Sequence, residues 1–319
     1  MRAIVVENQE MRLGEVPEPE LRPGDLLVQV RAAGVNRADL LQRQGRYPPP
    51  PGEPETIGLE IAGEVLRGAG GFEPGDRVMA LLAGGGYAER ARVPAAQALR
   101  IPPGMTFAEA AVIPEAFLTA FLNLTLIGKL AQGEVVVVHA AGSGVGTAAL
   151  QLCRGLAQVV LATASPGKHE ALRALGATHL LGRAEVPTRL AEAVRAAAGR
   201  GADLILDLVG ASYLEANIAA LGLHGRLACL STQGGSKGSL DLGALLQRRL
   251  SVLGSTLRSR SAVQKEKLVR SFAEQALPRF ERGELRPVLA KNFPLAQAAE
   301  AHAALERGEL VGKVALLVE

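Results

Sequence analysis

The glycine-rich segment AAGSGVG, residues 140–146, holds the residue types best suited to chemistry in this chain. Small residues allow a sharp backbone turn and let a phosphate approach the main-chain N–H groups. The four valines at 135–138 are typical of a strand buried on both faces, and the apolar spacing after Val145 indicates a helix. Such a helix points its positive N-terminal end at the turn around Gly142. The segment therefore predicts an anion site between a strand and a helix.

The match of this segment to the dinucleotide fingerprint G-x-G-x-x-G is degenerate. The three positions can be assigned in two ways: Ala141, Ser143 and Gly146, or Gly144, Gly146 and Ala149. Glycine-rich turns between a strand and a helix also occur for packing alone. A second apolar run, residues 159–162, follows after a helix-length gap, as a βαβ unit requires. That context favours a nucleotide-binding turn over a packing turn.

The second apolar run ends in Thr163, Ala164 and Ser165, with Lys168 just beyond. Sites that prefer NAD place Asp or Glu here, where the carboxylate binds the ribose 2′-hydroxyl. No carboxylate stands here to repel a 2′-phosphate, and Ser165 and Lys168 can bind one. We therefore expect NADPH as the cofactor, although Lys168 also fits a solvated lysine in a first helical turn. Arg183 is a second phosphate candidate and equally fits an ordinary surface arginine.

Length and composition narrow the class of protein. The 319 residues suggest two domains, and the hydrophobic fraction of 48% is ample for a core. No apolar run reaches membrane-spanning length and the N-terminus lacks a signal-peptide pattern, so we expect a cytoplasmic protein without a membrane partner. Cys153 and Cys229 form no C-x-x-C pair, and the five histidines are scattered singly. Both facts argue against a disulfide framework and a structural zinc site.

The charge distribution argues against a nucleic-acid partner. The net charge is +3, but 35 basic residues are interspersed with 32 acidic ones rather than gathered in a block. Aromatic residues make up only 3% of the chain, so side chains on which bases could stack are scarce.

Two patterns of secondary structure divide the chain. Residues 1–117 are β-rich, with short apolar segments and Pro/Gly turns that suit a partly open barrel. From residue 134 onward, strands and helices alternate, which predicts a doubly wound parallel sheet. The six predicted strands are the apolar runs at 135–138, 159–162, 178–181, 204–208, 227–230 and 250–253. Helices are predicted at 38–44, 114–130 and 261–282, and the tail after the last helix is expected to return to the first domain.

Four segments resemble one known family: AAGSGVGTAALQL, NRADLLQRQGRYPPPPG, IPEAFLTAF and LRSR. Together they are similar to the zinc-independent quinone oxidoreductases of the medium-chain dehydrogenase/reductase superfamily. The resemblance is strongest to the zeta-crystallin-like subgroup of the tumour-suppressor-inducible quinone oxidoreductase, and it runs over nearly the whole chain. It implies an α/β protein in which residues 1–117 and 261–319 form a GroES-like, partly open β-barrel domain. Residues 118–260 would form a Rossmann domain with a doubly wound, parallel six-stranded sheet that binds NADP(H).

The resemblance assigns roles to particular residues. It places Asn36 and Tyr47 in the nicotinamide and substrate cleft as cofactor-binding and catalytic residues, and Thr119 near the nicotinamide. The other implied cofactor contacts are Ser143, Gly144 and Val145 beside Gly142 in the pyrophosphate turn, Ser165 and Lys168 at the 2′-phosphate, and Leu257 and Arg258 of LRSR. Many relatives have a tyrosine where this chain has Arg183, so that contact is the least supported.

The zinc-dependent relatives bind catalytic zinc through a cysteine, a histidine and a further ligand. The cysteine position is Asn36 here and the histidine position is Leu59, and neither side chain is a normal zinc ligand. The clustered structural cysteines of those relatives are also absent. We therefore predict a protein without a bound metal.

Without zinc, no strong Lewis acid polarises a carbonyl, so the acceptor must take up hydride readily. Quinones and α,β-unsaturated carbonyl compounds do so. The expected activity is that of an NADPH:quinone reductase, with direct hydride transfer from NADPH to the acceptor. Asn36 and Tyr47 are candidates to hydrogen-bond the carbonyl or the carboxamide, and Tyr47 to donate a proton. Tyr47 equally fits a residue that only packs over the cofactor.

Two other functions stay open at this point. One is an enone or enoyl-thioester reductase on the same scaffold. The other is an RNA-binding protein that uses NADPH as a ligand, which the dispersed charge and scarce aromatic residues disfavour. A homodimer is implied by the family, and the apolar strand near residues 250–255 is expected at a sheet edge, where it could pair with a second copy.

Overall fold

The computed structural model describes residues 1–319, which divide into two compact units. Unit 1 comprises Met1–Leu118 and Leu257–Glu319, and unit 2 comprises Thr119–Thr256. The strands are β1 (Arg2–Glu7), β2 (Glu10–Glu15), β3 (Asp25–Val35), β4 (Glu60–Arg67), β5 (Arg77–Leu81), β6 (Arg90–Pro94), β7 (Ala98–Arg100), β8 (Val135–Val138), β9 (Val159–Ala164), β10 (His179–Gly182), β11 (Ala202–Asp207), β12 (Leu221–Cys229), β13 (Ser251–Gly254), β14 (Leu289–Pro294) and β15 (Lys313–Leu317). The α-helices are α1 (Arg37–Arg43), α2 (Phe107–Ala110), α3 (Pro114–Phe121), α4 (Gly144–Cys153), α5 (His169–Ala174), α6 (Val186–Ala198), α7 (Leu214–Ala220), α8 (Leu242–Arg248), α9 (Ala262–Gln275), α10 (Leu277–Glu281) and α11 (Ala298–Glu306).

Unit 1 is organised around the long strand β3. Its seven-stranded sheet has the order β14-β15-β3-β4-β5-β7, and β6 also pairs with β3. Leu26, Val28 and Val30 alternate along β3 and point into the core, as a half-buried strand requires. Two register shifts in the pairing of β3 with β4 mark irregularities that bend the sheet. The predicted GroES-like, partly open barrel is confirmed.

The carboxyl-terminal strand β15 completes the sheet of unit 1. It pairs antiparallel with β3, with Val314 opposite Val35. Segments from both ends of the sequence therefore form one sheet. This pairing also places Lys313 at the end of β3, next to the start of α1 and Asn36.

Unit 2 is a doubly wound sheet in which all neighbouring strands are parallel. The order β10-β9-β8-β11-β12-β13 reverses direction at β8. The valines of β8 are fully buried, because helices cover both faces of such a sheet. The predicted Rossmann sheet of six strands is confirmed, and all six predicted apolar runs overlap strands.

The predicted helices differ from the observed ones in detail. The helix expected at 114–130 is α-helical only through Phe121 and continues as a π-helical segment, Leu122–Ile127. Within it, the side-chain amide of Asn123 donates to the carbonyl of Thr119 at 2.8 Å. The helix expected at 261–282 is interrupted after Gln275 and resumes as α10, because Pro278 cannot donate a hydrogen bond to the preceding turn.

One stretch corrects the expectation about membrane-spanning length. Phe107–Ile127 is long and apolar enough to cross a bilayer by length and composition, with a mean hydropathy of 1.7. However, 72% of that window is buried inside the protein, as in the core helices of globular folds. The stretch also contains Glu109 and Glu115.

Candidate functional site

The turn between β8 and α4 occupies residues 139–143, at the carboxyl end of β8. Ala140 takes a left-handed conformation with φ of 46°. The N–H of Ala141 donates to the carbonyl of Thr163 on β9 at 3.0 Å, which fixes the turn against the neighbouring strand. In open parallel sheets, the crevice for a ligand lies where the strand order reverses. The turn stands at that point in unit 2.

The first turn of α4 can hold an anion. Ser143 caps the helix, since its Oγ accepts a hydrogen bond from the N–H of Gly146 at 3.1 Å. The N–H groups of Gly144 and Val145 come before the first intrahelical bond, so no helix carbonyl reaches them. A Cβ atom on Gly146 would lie 2.6 Å from main-chain atoms of Ala141, so glycine is needed for the helix to start this close to the turn.

Lys168 lies over the glycine turn. A Cβ atom placed on Gly142 would meet Cδ of Lys168 at 2.8 Å and its Nζ at 3.4 Å. Ser165 begins the short 3₁₀ turn Pro166–Lys168 that follows β9. The structure thus brings Ser165 and Lys168 to the side of the turn, with no carboxylate between β9 and Lys168. These residues fit a dinucleotide whose ribose carries a 2′-phosphate.

Arg183 lies at the same edge of unit 2, directly after β10. Its N–H donates to the carbonyl of Ala164 at 2.9 Å, and its carbonyl accepts a hydrogen bond from the hydroxyl of Tyr213 at 2.8 Å. The side chain is exposed. Arg183 is therefore held by its main chain beside the end of β9, and its guanidinium is accessible to an anion.

A buried chain of polar side chains lies behind the nucleotide turn, and sequence reasoning missed it. Nδ1 of His139 is 2.9 Å from Oγ1 of Thr163, and its Nε2 is 2.7 Å from Oδ1 of Asn217. Asn217 in turn donates to Oδ2 of Asp207 at 3.2 Å. Burial lowers the pKa of His139, so the ring stays neutral, with its Nε2 proton donated to Asn217. A single histidine after a run of valines gives no sequence signal for this network.

Thr119 and Leu257 lie in different units. Oγ1 of Thr119, in unit 2, is buried and has no hydrogen-bond partner. An unpaired buried hydroxyl is costly, so it suits a polar group of a ligand. Leu257, in unit 1, is 6% exposed.

The side-chain amide of Asn36 is engaged within unit 1. Its Nδ2 donates to Oε1 of Glu60 at 3.0 Å, and its Oδ1 accepts a hydrogen bond from Nζ of Lys313. Lys313 also donates to the carbonyl of Val35 at 2.8 Å. The second N–H of the amide faces the carbonyl of Gly34 at 3.5 Å, a weak contact. This contact with Gly34 is the weakest hydrogen bond of the Asn36 side chain.

A second buried chain runs from the N-terminus of α1 into the barrel. Oδ2 of Asp39 accepts hydrogen bonds from the N–H of Asn36 at 2.7 Å and from the hydroxyl of Tyr87 at 3.1 Å. Nε2 of His302 lies 3.1 Å from the same hydroxyl. Burial raises the pKa of Asp39 to about 7, and it lowers the pKa of His302 to about 3. The histidine is therefore neutral at physiological pH, whereas the carboxyl of Asp39 changes its protonation state close to physiological pH.

Tyr47 and Arg258 pack together in unit 1. The guanidinium carbon of Arg258 lies 5.2 Å from the ring centroid of Tyr47, a cation–π contact. Arg258 also donates to three fixed acceptors, which are the carbonyls of Ala83 at 2.8 Å and Tyr47 at 3.1 Å and Oε1 of Gln42 at 2.8 Å. The hydroxyl of half-buried Tyr47 forms no hydrogen bond. Burial and the nearby Glu115 raise its pKa, so this hydroxyl keeps its proton.

Glu115 is a further candidate that sequence reasoning missed. It stands at the start of α3, where its N–H donates to Oε2 of Glu60 at 2.8 Å. Burial raises the pKa of Glu115 to about 8, with Glu60 adding to the rise. The carboxyl is thus protonated at neutral pH and can donate a proton. The sequence carries one indication of this role, which is a carboxylate directly after Pro114 at the start of a predicted apolar helix.

The chain matches two known families in sequence. Residues 22–103 match the alcohol dehydrogenase GroES-like domain, and residues 175–316 match the zinc-binding dehydrogenase family. The chain is also 33% identical to the synaptic vesicle membrane protein VAT-1 homolog of Mus musculus, over 94% of this chain and 78% of that protein. The chain belongs to the medium-chain dehydrogenase/reductase superfamily. Unit 2 of this superfamily member is accordingly an NAD(P)-binding fold.

Solved structures agree with this membership. A structure described as an NAD-dependent alcohol dehydrogenase superposes with a TM-score of 0.86 at 32% identity, and the match covers 100% of both chains. A mycobacterial protein solved in complex with NADPH superposes with a TM-score of 0.88 at 28% identity, with 99% of both chains covered. The superfamily therefore includes similar structures described with either nicotinamide cofactor.

The residues of this superfamily member do not fit the zinc that one family description names. No group of three or more His, Cys, Asp or Glu side chains is arranged to hold a metal ion. The carboxylate bonded to the side-chain amide of Asn36 is Glu60, and its Oε1 already lies 2.6 Å from the ammonium of Lys313. Leu59 offers no ligand atom. An ammonium from the chain itself thus neutralises the carboxylate of Glu60.

Proposed function

We propose that this protein is an NADPH-dependent reductase of quinones or similar conjugated carbonyl compounds, and that it works without zinc. The observation that carries the proposal is the contact of Lys313 with Glu60 and Asn36. Because this contact neutralises Glu60 and no group of three ligating side chains is arranged around a metal, the proposed acceptor takes up hydride without a metal Lewis acid. Conjugated carbonyl compounds meet that requirement, since the incoming charge delocalises onto oxygen.

The choice of NADPH rests on unit 2. When bound, NADPH supplies the hydride. In the proposal, the N–H groups of Gly144 and Val145 bind the pyrophosphate, and Ser165 and Lys168 bind the 2′-phosphate. The position of Lys168 over Gly142 supports this assignment.

The proposed work of unit 1 is to orient the acceptor and supply protons. The free hydroxyl of Tyr47 would donate a hydrogen bond to the acceptor oxygen, and its raised pKa keeps it protonated. Asn36 would contribute its one weakly bonded N–H, held in place by Glu60 and Lys313. The protonated carboxyl of Glu115 is the second proton donor that unit 1 offers.

The first test is the affinity for NADPH and for NADH, measured by fluorescence titration. The proposal expects wild type to bind NADPH more tightly than NADH, and Lys168→Ala to weaken NADPH binding by about tenfold or more because a charged hydrogen bond is lost. Arg173→Ala removes an exposed charge from α5 and serves as the matched control, with no effect expected. Equal affinity for both nucleotides in wild type would overturn the choice of NADPH.

The second test is an acceptor screen with NADPH in excess. Simple quinones, enones and unactivated ketones are compared, and turnover is expected with quinones at least and not with unactivated ketones. Turnover with enones but not quinones would replace the quinone assignment by the enone reductase function. Turnover with unactivated ketones would contradict the argument from the missing Lewis acid.

We also propose that the protein is a cytoplasmic homodimer that pairs through β13. This strand forms one edge of the unit 2 sheet, and the side chain of Val252 on it is exposed. An exposed apolar edge strand is a template for pairing with a second copy. Sedimentation at micromolar concentration is expected to give a dimer, and Val252→Lys is expected to give a monomer.

A further inference from the structure

A pocket of about 210 Å³ lies within unit 1. It is lined by the proline-rich segment 50–54, by residues 82–84 and by the first turn of α9. Its cationic lining residues are Arg22, Arg92, Arg258, Arg260 and Lys265, and its one carboxylate is Glu53. The lining therefore carries five cationic side chains and only one carboxylate.

The carboxylate of Glu53 is fully used by two arginines. Oε1 of Glu53 lies 3.2 Å from Nη1 of Arg22, and its Oε2 lies 2.7 Å from Nη2 of Arg92. Arg92 also pairs with Asp25 at 3.4 Å. Glu53 therefore serves to hold these arginines, and it acts on Lys265 only from beyond ion-pair distance.

Lys265 is the exceptional member of the lining. Its residue is only 6% exposed, yet its ammonium forms no hydrogen bond and no ion pair within 4 Å. Burial lowers its pKa, because the charged form loses water. The ammonium has no ion-pair partner within 4 Å and is stabilised only by the more distant charges of Glu53 and Glu115, whereas largely buried charges in native proteins are normally paired. A lysine held in this state beside an open pocket points to a missing anionic partner.

Two neighbouring features add to the attraction for an anion. The pocket is lined by Ala262 at the start of α9, a helix of 14 residues whose positive end lies there. The side chain of Gln97 also lines the pocket; this residue is 7% exposed and its amide forms no hydrogen bond. A side-chain amide can donate to an oxyanion that the lysine neutralises.

We propose that this pocket binds a small oxyanion, the carboxylate or phosphate group of a small molecule, with Lys265 as its charge partner and Gln97 as a hydrogen-bond donor. Lysine binds either group as a point charge. The proposal does not depend on the reductase function, because it concerns binding within unit 1 alone.

The test is isothermal titration calorimetry of the full chain with inorganic phosphate and, separately, with acetate. Wild type is compared with Lys265→Met, with Lys265→Arg and with Lys267→Met, an exposed lysine on the same helix. Wild type is expected to bind at least one of the two anions in the millimolar range. Lys265→Met is expected to weaken that binding by about tenfold, whereas Lys267→Met and the charge-preserving Lys265→Arg retain it.

The outcomes separate cleanly. Tighter binding of phosphate than of acetate assigns the pocket to a phosphate group, and the reverse assigns it to a carboxylate. Any phosphate held by unit 2 contributes equally to wild type and Lys265→Met, so only the difference between these proteins counts. Equal binding by wild type and Lys265→Met overturns the proposal, as does an absence of binding by wild type for both anions. Circular dichroism of Lys265→Met confirms that the variant is folded.

Discussion

Nζ of Lys313 lies 2.6 Å from Oε1 of Glu60, and both side chains are almost completely buried in unit 1. The pair joins the last strand, β15, to the start of β4. It also determines the orientation of the Asn36 amide, because each partner takes one end of that amide. A buried ion pair thus orients the side chain of a candidate catalytic residue.

Removing one partner of this pair is expected to be costly. Lys313→Met leaves the carboxylate of Glu60 buried without its cation, and the free energy of unfolding should fall by about 3–5 kcal/mol. The double variant Lys313→Met/Glu60→Gln should recover part of that loss, because the uncompensated charge is gone. Urea denaturation measures both, with Lys267→Met as the control. A Lys313→Met protein as stable as wild type would show that the pair contributes nothing.

The buried carboxyl of Asp39 predicts a pH dependence of stability. Its pKa is about 7 in the folded protein and about 4 in an unfolded chain. Between about pH 4 and pH 7 the folded state therefore holds a proton that the unfolded state has lost, so this group's contribution to stability falls as pH rises. Asp39→Asn has no such proton to lose, and the stability of wild type relative to Asp39→Asn should decline between about pH 4 and pH 7 and level off above pH 7.

The same comparison controls for the neighbours of Asp39. Tyr87, Glu60 and Lys313 are present in both proteins, and so is His302, whose pKa of about 3 keeps it neutral throughout this range. Thermal unfolding at several pH values provides the data. A constant difference between the two proteins would mean that Asp39 does not titrate in this window.

The close approach of α4 to its turn predicts the effect of Gly146→Ala. The added Cβ atom would lie 2.6 Å from main-chain atoms of Ala141, so the helix start or the turn must shift. We expect a loss of about 2 kcal/mol in stability or more, together with weaker nucleotide binding. Gly167→Ala is the matched control, since a Cβ there meets nothing within 4 Å. Wild-type nucleotide affinity in Gly146→Ala would remove the turn from the candidate site.

The unpaired ammonium of Lys265 predicts a variant that is more stable than wild type. Lys265→Met keeps most of the side-chain volume and removes a largely buried charge that has no ion-pair partner within 4 Å. The free energy of unfolding should therefore rise by up to about 1 kcal/mol, since Glu53 and Glu115 offset part of the desolvation cost. Lys267→Met on the exposed face of α9 should change it by no more than about 0.5 kcal/mol. A destabilised Lys265→Met would indicate that the ammonium has a structural partner in solution.

The raised pKa of Glu115 predicts the alkaline limb of the rate profile. The carboxyl is protonated below about pH 8 and ionised above it. If it supplies a proton in the proposed reaction, kcat with a quinone should fall as pH rises past 8 in wild type. Glu115→Gln should have a lower kcat and lack that limb, and Tyr47→Phe should retain it. A wild-type profile that is flat from pH 7 to pH 9 would exclude Glu115 as the donor.

The fold could be predicted from the sequence, because the residue patterns that identify its strands and helices are local. Four successive valines, a run of small residues and a renewed apolar period identify β8, its turn and α4 without reference to the rest of the chain. The same reasoning located the other five strands of unit 2. The helix at 114–130 was extended too far, because periodicity does not distinguish an α-helix from the π-helical segment that follows Phe121.

The candidate site was harder to predict from the sequence, because its contacts join distant parts of the chain. Asn36 was selected by its motif, but Lys313 lies 277 residues later and carries no pattern of its own. His302 and Tyr87 are 215 residues apart, and each alone resembles an ordinary core residue. The sequence indicates candidate groups, whereas their pKa values depend on burial that only the folded chain creates.

The pairing of β15 with β3 affects the order in which the chain can fold during synthesis. Unit 2 is one continuous segment, Thr119–Thr256, and all of it leaves the ribosome before β15 is made. Until residues 313–317 emerge, residues 32–35 of β3 lack their β15 partner, and the amide of Asn36 lacks the ammonium that holds it. The nucleotide-binding unit can therefore mature on the nascent chain, whereas the polar cluster at Asn36 is assembled last. An unfinished chain would present a folded unit 2 beside a unit 1 whose sheet is incomplete.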